Sequence, residues 1–307
     1  MDRFQKLSLS SAGATFLLVV IGGLVRATKS GLGCGDNWPD CPGQVTRALF
    51  IELSHRAAAG VVVVLLAALA ITAVRNRASA PKLVWPSVAA FGLVLIQAVL
   101  GAMVVWLHLQ AESVILHLGT AMALFALVLY LAAASLAADD KLQTRTDAAL
   151  SRRATRAAAA ILVLLLVGSY VTGRNAGYVF GDWPLMNGRI IPDLSIEAYA
   201  IHFLHRLLAG VTGVGLLVFG IGVLRRKAEL PLQARLTHVA LGSFALEVLV
   251  GAANVWSGLN PAFVTLHLAL GALIWASVAG IAIVSRPGFH DVSGASRNVS
   301  NPALESV

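Results

Sequence analysis

The sequence predicts an all-α integral membrane protein: eight transmembrane helices arranged as two tandem, pseudo-symmetric four-helix bundles. Three observations predict it: an apolar composition, eight stretches long enough to cross a bilayer, and a repeat relating the first four stretches to the last four. Of 307 residues, 58% are hydrophobic and 12% charged, and the mean hydropathy is +0.80. A soluble domain carries about 25% charged residues, because its surface must face water. Lipid offers the backbone no hydrogen-bond partner, so each span must be a helix of about 20 mostly apolar residues.

The first span covers 9–28. It is too long for the core of a cleaved signal peptide and runs into a charged loop with no small-residue cleavage site. Spans at 50–74, 84–107 and 113–138 complete an N-terminal unit over residues 1–138. A basic linker at 139–154 leads to a C-terminal unit over 155–284, with spans at 155–174, 197–224, 235–256 and 261–284. The tail, 285–307, is rich in Ser, Asn and Gly and is expected to be disordered.

A net charge of +8 would suggest a nucleic-acid partner until the charges are placed. Arg3 and Lys6, then Arg75, Arg77 and Lys82, then Lys141, Arg145, Arg152, Arg153 and Arg156, then Arg225, Arg226, Lys227 and Arg235, and finally Arg286 and Arg297 share one side. The other side has only Arg26, Lys29, Arg47, Arg174 and Arg189. Positive residues favour the cytoplasmic side. The pattern therefore predicts a multi-pass protein of the bacterial plasma membrane with both termini cytoplasmic, and it removes the case for nucleic acid. Cys34 and Cys41, the only cysteines, fall in the first outside loop, GLGCGDNWPDCPG. On an oxidising side a disulfide is favoured over two exposed free thiols.

The internal repeat is the most informative feature after hydropathy. ELSHRAAAG at 52–60 matches HFLHRLLAG at 202–210, and the segment from Gln97 to Leu118 matches Glu247 to Leu268, both at an offset of 150 residues. GLVRATKSGLGCGDNWP resembles SYVTGRNAGYVFGDWP at an offset of 146, which becomes 145 after Asn37. With four helices in each unit, the copies have the same orientation and are related by an axis along the membrane normal.

Four of the eight histidines obey the repeat: His55 matches His205, and His117 matches His267. Each lies near the outer end of the second or fourth helix of its unit. Two facing imidazoles are what a six-coordinate heme iron requires, and ionisable residues within a membrane are functional by default. A single histidine in an apolar helix is more often packed and hydrogen-bonded, but duplication at four positions argues for ligands. Arg56 and Arg206 each follow one of these histidines. A guanidinium there can pair with heme propionates or snorkel to headgroups.

Glu52 breaks the symmetry, because its counterpart is His202. It shares a helical face with His55, three residues on. The difference suggests chemistry in the first unit and another role for the second, against a structural carboxylate bonded to the loop or to an arginine. Gln97 and Glu247, a matched polar pair near mid-membrane, are read as interhelical hydrogen-bonding residues. His108, His238 and His290 receive no function.

Competing classes are tested by the same residues. A di-iron carboxylate bundle needs two Glu-x-x-His motifs and further glutamates, whereas the second copy reads His202-x-x-His205. A transporter built from repeats leaves the duplicated histidines unexplained. A di-heme, cytochrome b-like electron carrier or reductase remains the alternative, needing the same four histidines but having no use for Glu52.

GLGCGDNWPDCPG followed by ELSHR, then HLGTAMAL, HFLHR and HLALGAL, resembles the heme A synthase family from Gly22 to about Val284. The resemblance implies oxidation of a ring methyl of heme O to a formyl group, an oxidoreductase reaction on a CH group giving heme A. It implies that His205 and His267 ligate a resident heme b, that His55 and His117 hold the substrate heme O, and that Glu52 acts in catalysis. Cys34 and Cys41 match loop cysteines found in part of the family. The partners implied are a membrane enzyme that produces heme O and an unidentified electron acceptor.

Overall fold

The computed structural model describes residues 3–42, 44–138, 142 and 145–289. Among them the chain forms eight helices: α1 (Arg3–Ala27), α2 (Arg47–Arg75), α3 (Pro81–Trp106), α4 (Ala111–Ala138), α5 (Ala148–Gly173), α6 (Glu197–Leu224), α7 (Pro231–Trp256) and α8 (Pro261–Val284). All eight are long and apolar enough to cross a membrane. No strand occurs among the described residues, only an isolated bridge between Met186 and Arg189.

Helix starts follow local chemistry more than hydropathy. Thr46 caps α2, its hydroxyl accepting from the Leu49 amide at 3.1 Å, which satisfies one of the orphan donors of the first turn. Pro81, Pro231 and Pro261 open α3, α7 and α8, where a missing N–H costs nothing. α5 starts at Ala148, seven residues ahead of the apolar span, because Asp147 caps it by accepting from the Leu150 amide at 2.9 Å. The same carboxylate pairs with Arg226 at 2.8 Å, and the Leu150 amide and the guanidinium together hold it below the ordinary carboxylate range. Residues 148–154 of the expected linker are therefore helical. The expected disorder of the tail falls, from residue 290 on, outside the described residues. Before that point Phe289 is buried against the first-unit core.

Helix contacts run from α1 through α2 and α3 to α4 and back to α1, and from α5 through α6 and α7 to α8 and back to α5. Between these rings α8 packs on α1 and α4, and α4 packs on α5. The apolar window of α8 is 56% buried against 17% for α6, so α8 is central and α6 is the helix least covered by the rest of the described chain. A core of Val19, Met122, Phe125, Trp275 and Val278 fills the junction. Small residues permit the closest approaches: a Cβ on Gly23 would meet Leu268 at 2.7 Å, and one on Gly173 would meet Ala111 at 2.5 Å.

Candidate functional site: paired histidines beneath two loops

The repeat seen in the sequence is a repeat of backbone. Lys29 and Asn175 take the same left-handed conformation (φ 55°) after α1 and α5, and Leu109 and Leu259 do so before α4 and α8. Trp38 packs edge-on to Trp106 at 6.1 Å, and Trp183 packs edge-on to Trp256 at 6.0 Å. Both loops therefore lie over their rings in matched fashion, at the end where α2, α4, α6 and α8 begin.

Under the loops, each of the four histidines rests on a glycine of the preceding helix. A Cβ on Gly22 would lie 3.1 Å from Cε1 of His55, and one on Gly168 would lie 3.0 Å from Cε1 of His205. The corresponding distances are 3.5 Å for Gly101 and His117 and 3.3 Å for Gly251 and His267. The four glycines obey the repeat, and that register was a signal the sequence offered and the reading of it did not use.

In the second ring the His205 and His267 imidazoles stand with centroids 6.3 Å apart at 77°. Two metal–imidazole bonds of roughly 2.0–2.1 Å, the range for first-row ions such as zinc, laid end to end with the two ring radii span about that separation. Among the described residues Nδ1 of His55 and of His205 is buried without a hydrogen-bond partner, unlike a core histidine whose polar atoms are satisfied. His202 is the contrast: its Nδ1 lies 2.9 Å from the Ala176 carbonyl and its Nε2 accepts from Arg206 Nε at 3.2 Å. A carbonyl only accepts and a guanidinium only donates, so His202 is neutral, with both nitrogens engaged.

The helix turns beside these histidines are little covered by the rest of the described chain. α2 buries no residue between Glu52 and Val62, and α6 none between His202 and Leu216. A flat group held between two imidazoles would cover those turns, so the donor set and the uncovered flanks both fit a heme.

Behind His117 and His267 lie the matched polar residues. One terminal atom of the Gln97 amide is 3.1 Å from Nδ1 of His117, and Gln97 also hydrogen-bonds Thr120 of α4. Glu247 Oε1 is 3.2 Å from Nδ1 of His267. Both are interhelical contacts, as expected, and both are made to a histidine of the candidate site, which was not.

Glu52 is 3% exposed. Its Oε2 accepts from the Cys34 amide at 2.9 Å and its Oε1 from Arg56 Nη2. Cys34 is bridged to Cys41 (Cα–Cα 4.7 Å), so the disulfide loop seats a backbone donor directly on the carboxylate. Arg56 also donates to the carbonyls of Asn37, Pro39 and Asp40 at 3.0–3.2 Å. Arg206 repeats this with the carbonyls of Leu185 (2.9 Å) and Asp182 (3.3 Å). Phe180 stands where the first loop has Cys34; it is fully buried, 4.9 Å from the Tyr199 ring and 5.2 Å from the His202 ring.

The model of the cytochrome oxidase assembly protein family COX15-CtaA matches residues 5–49 and 46–279 of the chain. Among curated proteins, the heme A synthase of Shouchella clausii is 29% identical over 81% of this chain and 84% of its own length. That of Caulobacter sp. (strain K31) is 27% identical over 87% and 91%, and that of Exiguobacterium sibiricum is 32% identical over 67% and 71%.

Proposed function

This chain belongs to the cytochrome oxidase assembly protein family COX15-CtaA, and from that premise we propose that it is a heme A synthase, a multi-pass membrane enzyme acting on heme O. The observation that carries the reading is the set of four repeat-related histidines, each seated on a glycine under a loop, one pair facing across 6.3 Å. The reaction assigned is oxidation of a ring methyl of heme O to a formyl group. His55 and His117 hold the substrate in the first ring, and His205 and His267 hold a resident heme b in the second. The resident heme supplies one-electron relay chemistry; the remaining work falls to side chains of this chain.

Glu52 is the proton acceptor. It is buried one helical turn from His55 and has no carboxylate counterpart in the second ring. The Cys34 amide and Arg56 fix both of its oxygens, so its direction is set before substrate enters, which is the preorganisation that proton transfer rewards. Arg56 and Arg206 face the propionates. Arg56 already makes two contacts from each Nη atom, leaving Nε, whereas Arg206 makes one from each Nη atom and one from Nε. Arg206 therefore keeps more donors for a propionate.

The charge asymmetry places both termini in the cytoplasm and the two loops outside. Heme O arrives from the membrane enzyme that makes it, and electrons leave to a separate acceptor. The decisive experiment is to purify the chain in detergent from cells supplied with heme O and identify the extracted hemes by chromatography and mass. Heme A with heme b is expected, with His205→Ala and His267→Ala each abolishing the low-spin heme b spectrum. Protein that holds heme but yields no heme A would leave the di-heme electron carrier in its place.

A further inference from the structure

We infer that Glu247 is a positioning residue that commits His267 to permanent iron ligation, and that Gln97, in the matching place, leaves His117 free to bind and release its heme. The inference rests on the ligand assignment above and concerns a different pair of side chains.

An imidazole can ligate through Nε2 only in the form that carries its proton on Nδ1, and the partner at Nδ1 decides whether that form prevails. A carboxylate accepts hydrogen bonds and does not donate. Glu247 Oε1 lies 3.2 Å from Nδ1 of His267. Among the described residues neither His267 Nδ1 nor Glu247 Oε2 has any other partner. Nothing competes with their alignment when the ring turns onto a ligand, and contacts of this kind commonly tighten only in the loaded protein. Gly271 opens the space: a Cβ there would meet Glu247 Oε1 at 3.3 Å and Leu165 of α5 at 2.7 Å.

The first ring has the same geometry with different chemistry. The Gln97 amide reaches Nδ1 of His117 at 3.1 Å, and an amide offers either a carbonyl or an N–H. Turned one way it supports the ligating form of His117, and turned the other it supports the form with the proton on Nε2. With its N–H turned to Nδ1 the amide also reaches the His117 carbonyl at 3.2 Å while its own carbonyl accepts from the Ala121 amide at 2.9 Å. With its N–H turned away it donates to the Thr120 hydroxyl, so either orientation finds partners. A carboxylate behind a ligand also makes the imidazole a stronger electron donor, which favours oxidised iron. One ring is thus built to keep its heme and pass electrons, the other to exchange substrate for product.

The test measures heme retention and potential instead of turnover. In a His117→Ala background, where only the second ring is loaded, heme transfer to excess apomyoglobin is timed and the midpoint potential is titrated. Glu247→Gln is expected to speed transfer about 10–100-fold, the usual cost of removing such a partner. It is expected to change the oxidised-to-reduced ratio about tenfold, about 59 mV for a one-electron couple, towards the reduced form. Gln97→Glu, in a His267→Ala background, should slow loss of the first-ring heme. If Glu247→Gln does not purify, Glu247→Asp is measured, and an intermediate effect of the same sign is expected. Wild-type transfer rate and potential in the Glu247 variant, with heme lost from His267→Ala, would overturn the inference and leave the ligand assignment standing. An unchanged heme content and spectrum in His267→Ala would overturn the ligand assignment itself.

Discussion

The α1–α2 and α5–α6 loops resemble one another in sequence and are held down by different means. The first is closed by the Cys34–Cys41 bridge, and its Cys34 amide bonds a buried carboxylate. The second has no cysteine. Phe180 fills the same place, packs on Tyr199 and His202, and carries the Arg206 guanidinium over its ring at 5.4 Å. Asp182 adds a tight turn, accepting from the Asn187 and Gly188 amides at 2.6 and 2.7 Å. A loop pinned by an aromatic cluster packs on an imidazole whose two nitrogens are already engaged. A loop pinned by a disulfide keeps a short backbone turn over the site and seats a backbone donor on the buried carboxylate of α2. The scaffold occurs twice, and divergence at positions 34 and 52 gave one copy a buried carboxylate under a disulfide and the other a phenyl ring packed on a histidine.

The largest effect should come from exchanging the unlike pair. Glu52→Gln is expected to lower heme A formation by about 10²–10⁴, the usual loss when a general base is removed, with heme O accumulating and the second-ring spectrum unchanged. His202→Gln should be much milder, because its nitrogens serve only Ala176 and Arg206. Extracted-heme analysis of both variants compares them directly. Equal losses would mean that the rings do not differ in the way proposed.

Next is stability. Phe180→Ala empties a fully buried site and is expected to cost about 3–5 kcal/mol, whereas Cys34→Ser with Cys41→Ser opens a short loop at about 2–3 kcal/mol. Thermal unfolding in detergent should therefore rank the aromatic pin above the disulfide. The reverse order would show that the first loop is the more heavily stabilised.

The smallest effects should be graded by the glycines. Gly168→Ala (3.0 Å) and Gly22→Ala (3.1 Å) must displace a histidine ring, whereas Gly101→Ala (3.5 Å) makes an ordinary contact. The first two should broaden or shift the low-spin heme signals of their own ring in electron paramagnetic resonance, and the third should leave them in place. A Gly101→Ala change as large as that of Gly168→Ala would remove the graded-contact argument.

Most of the fold was legible because lipid imposes length and hydropathy on each span, and duplication writes each position twice. The eight helices followed from those signals, the disulfide from two cysteines in one loop, and the family from the resemblance of the loop and histidine motifs. The helix starts did not, since α5 begins where Asp147 caps it and not where the apolar run begins. Glu52 was legible as an outlier against His202, and bonding to the loop or to an arginine was the structural alternative weighed for it. Both bonds occur, but that the loop donor is the Cys34 amide depends on how the loop folds back. Gln97 and Glu247 read correctly as interhelical groups. Their meeting with His117 and His267 depends on the facing of two neighbouring helices, which no single-helix pattern carries.

The central place of α8 has a consequence for how the chain is made. Among the described helices it is synthesised last, yet it packs on α1 and α4 as well as on α5 and α7, and Leu268 seats directly against Gly23 of α1. While the ribosome is still adding the earlier spans, the first four helices can close on themselves but lack the neighbour that covers α1 and α4. The junction core around Phe125 and Trp275 therefore assembles only at the end of translation, and a chain cut short before α8 would leave an uncovered seam in its otherwise complete N-terminal half.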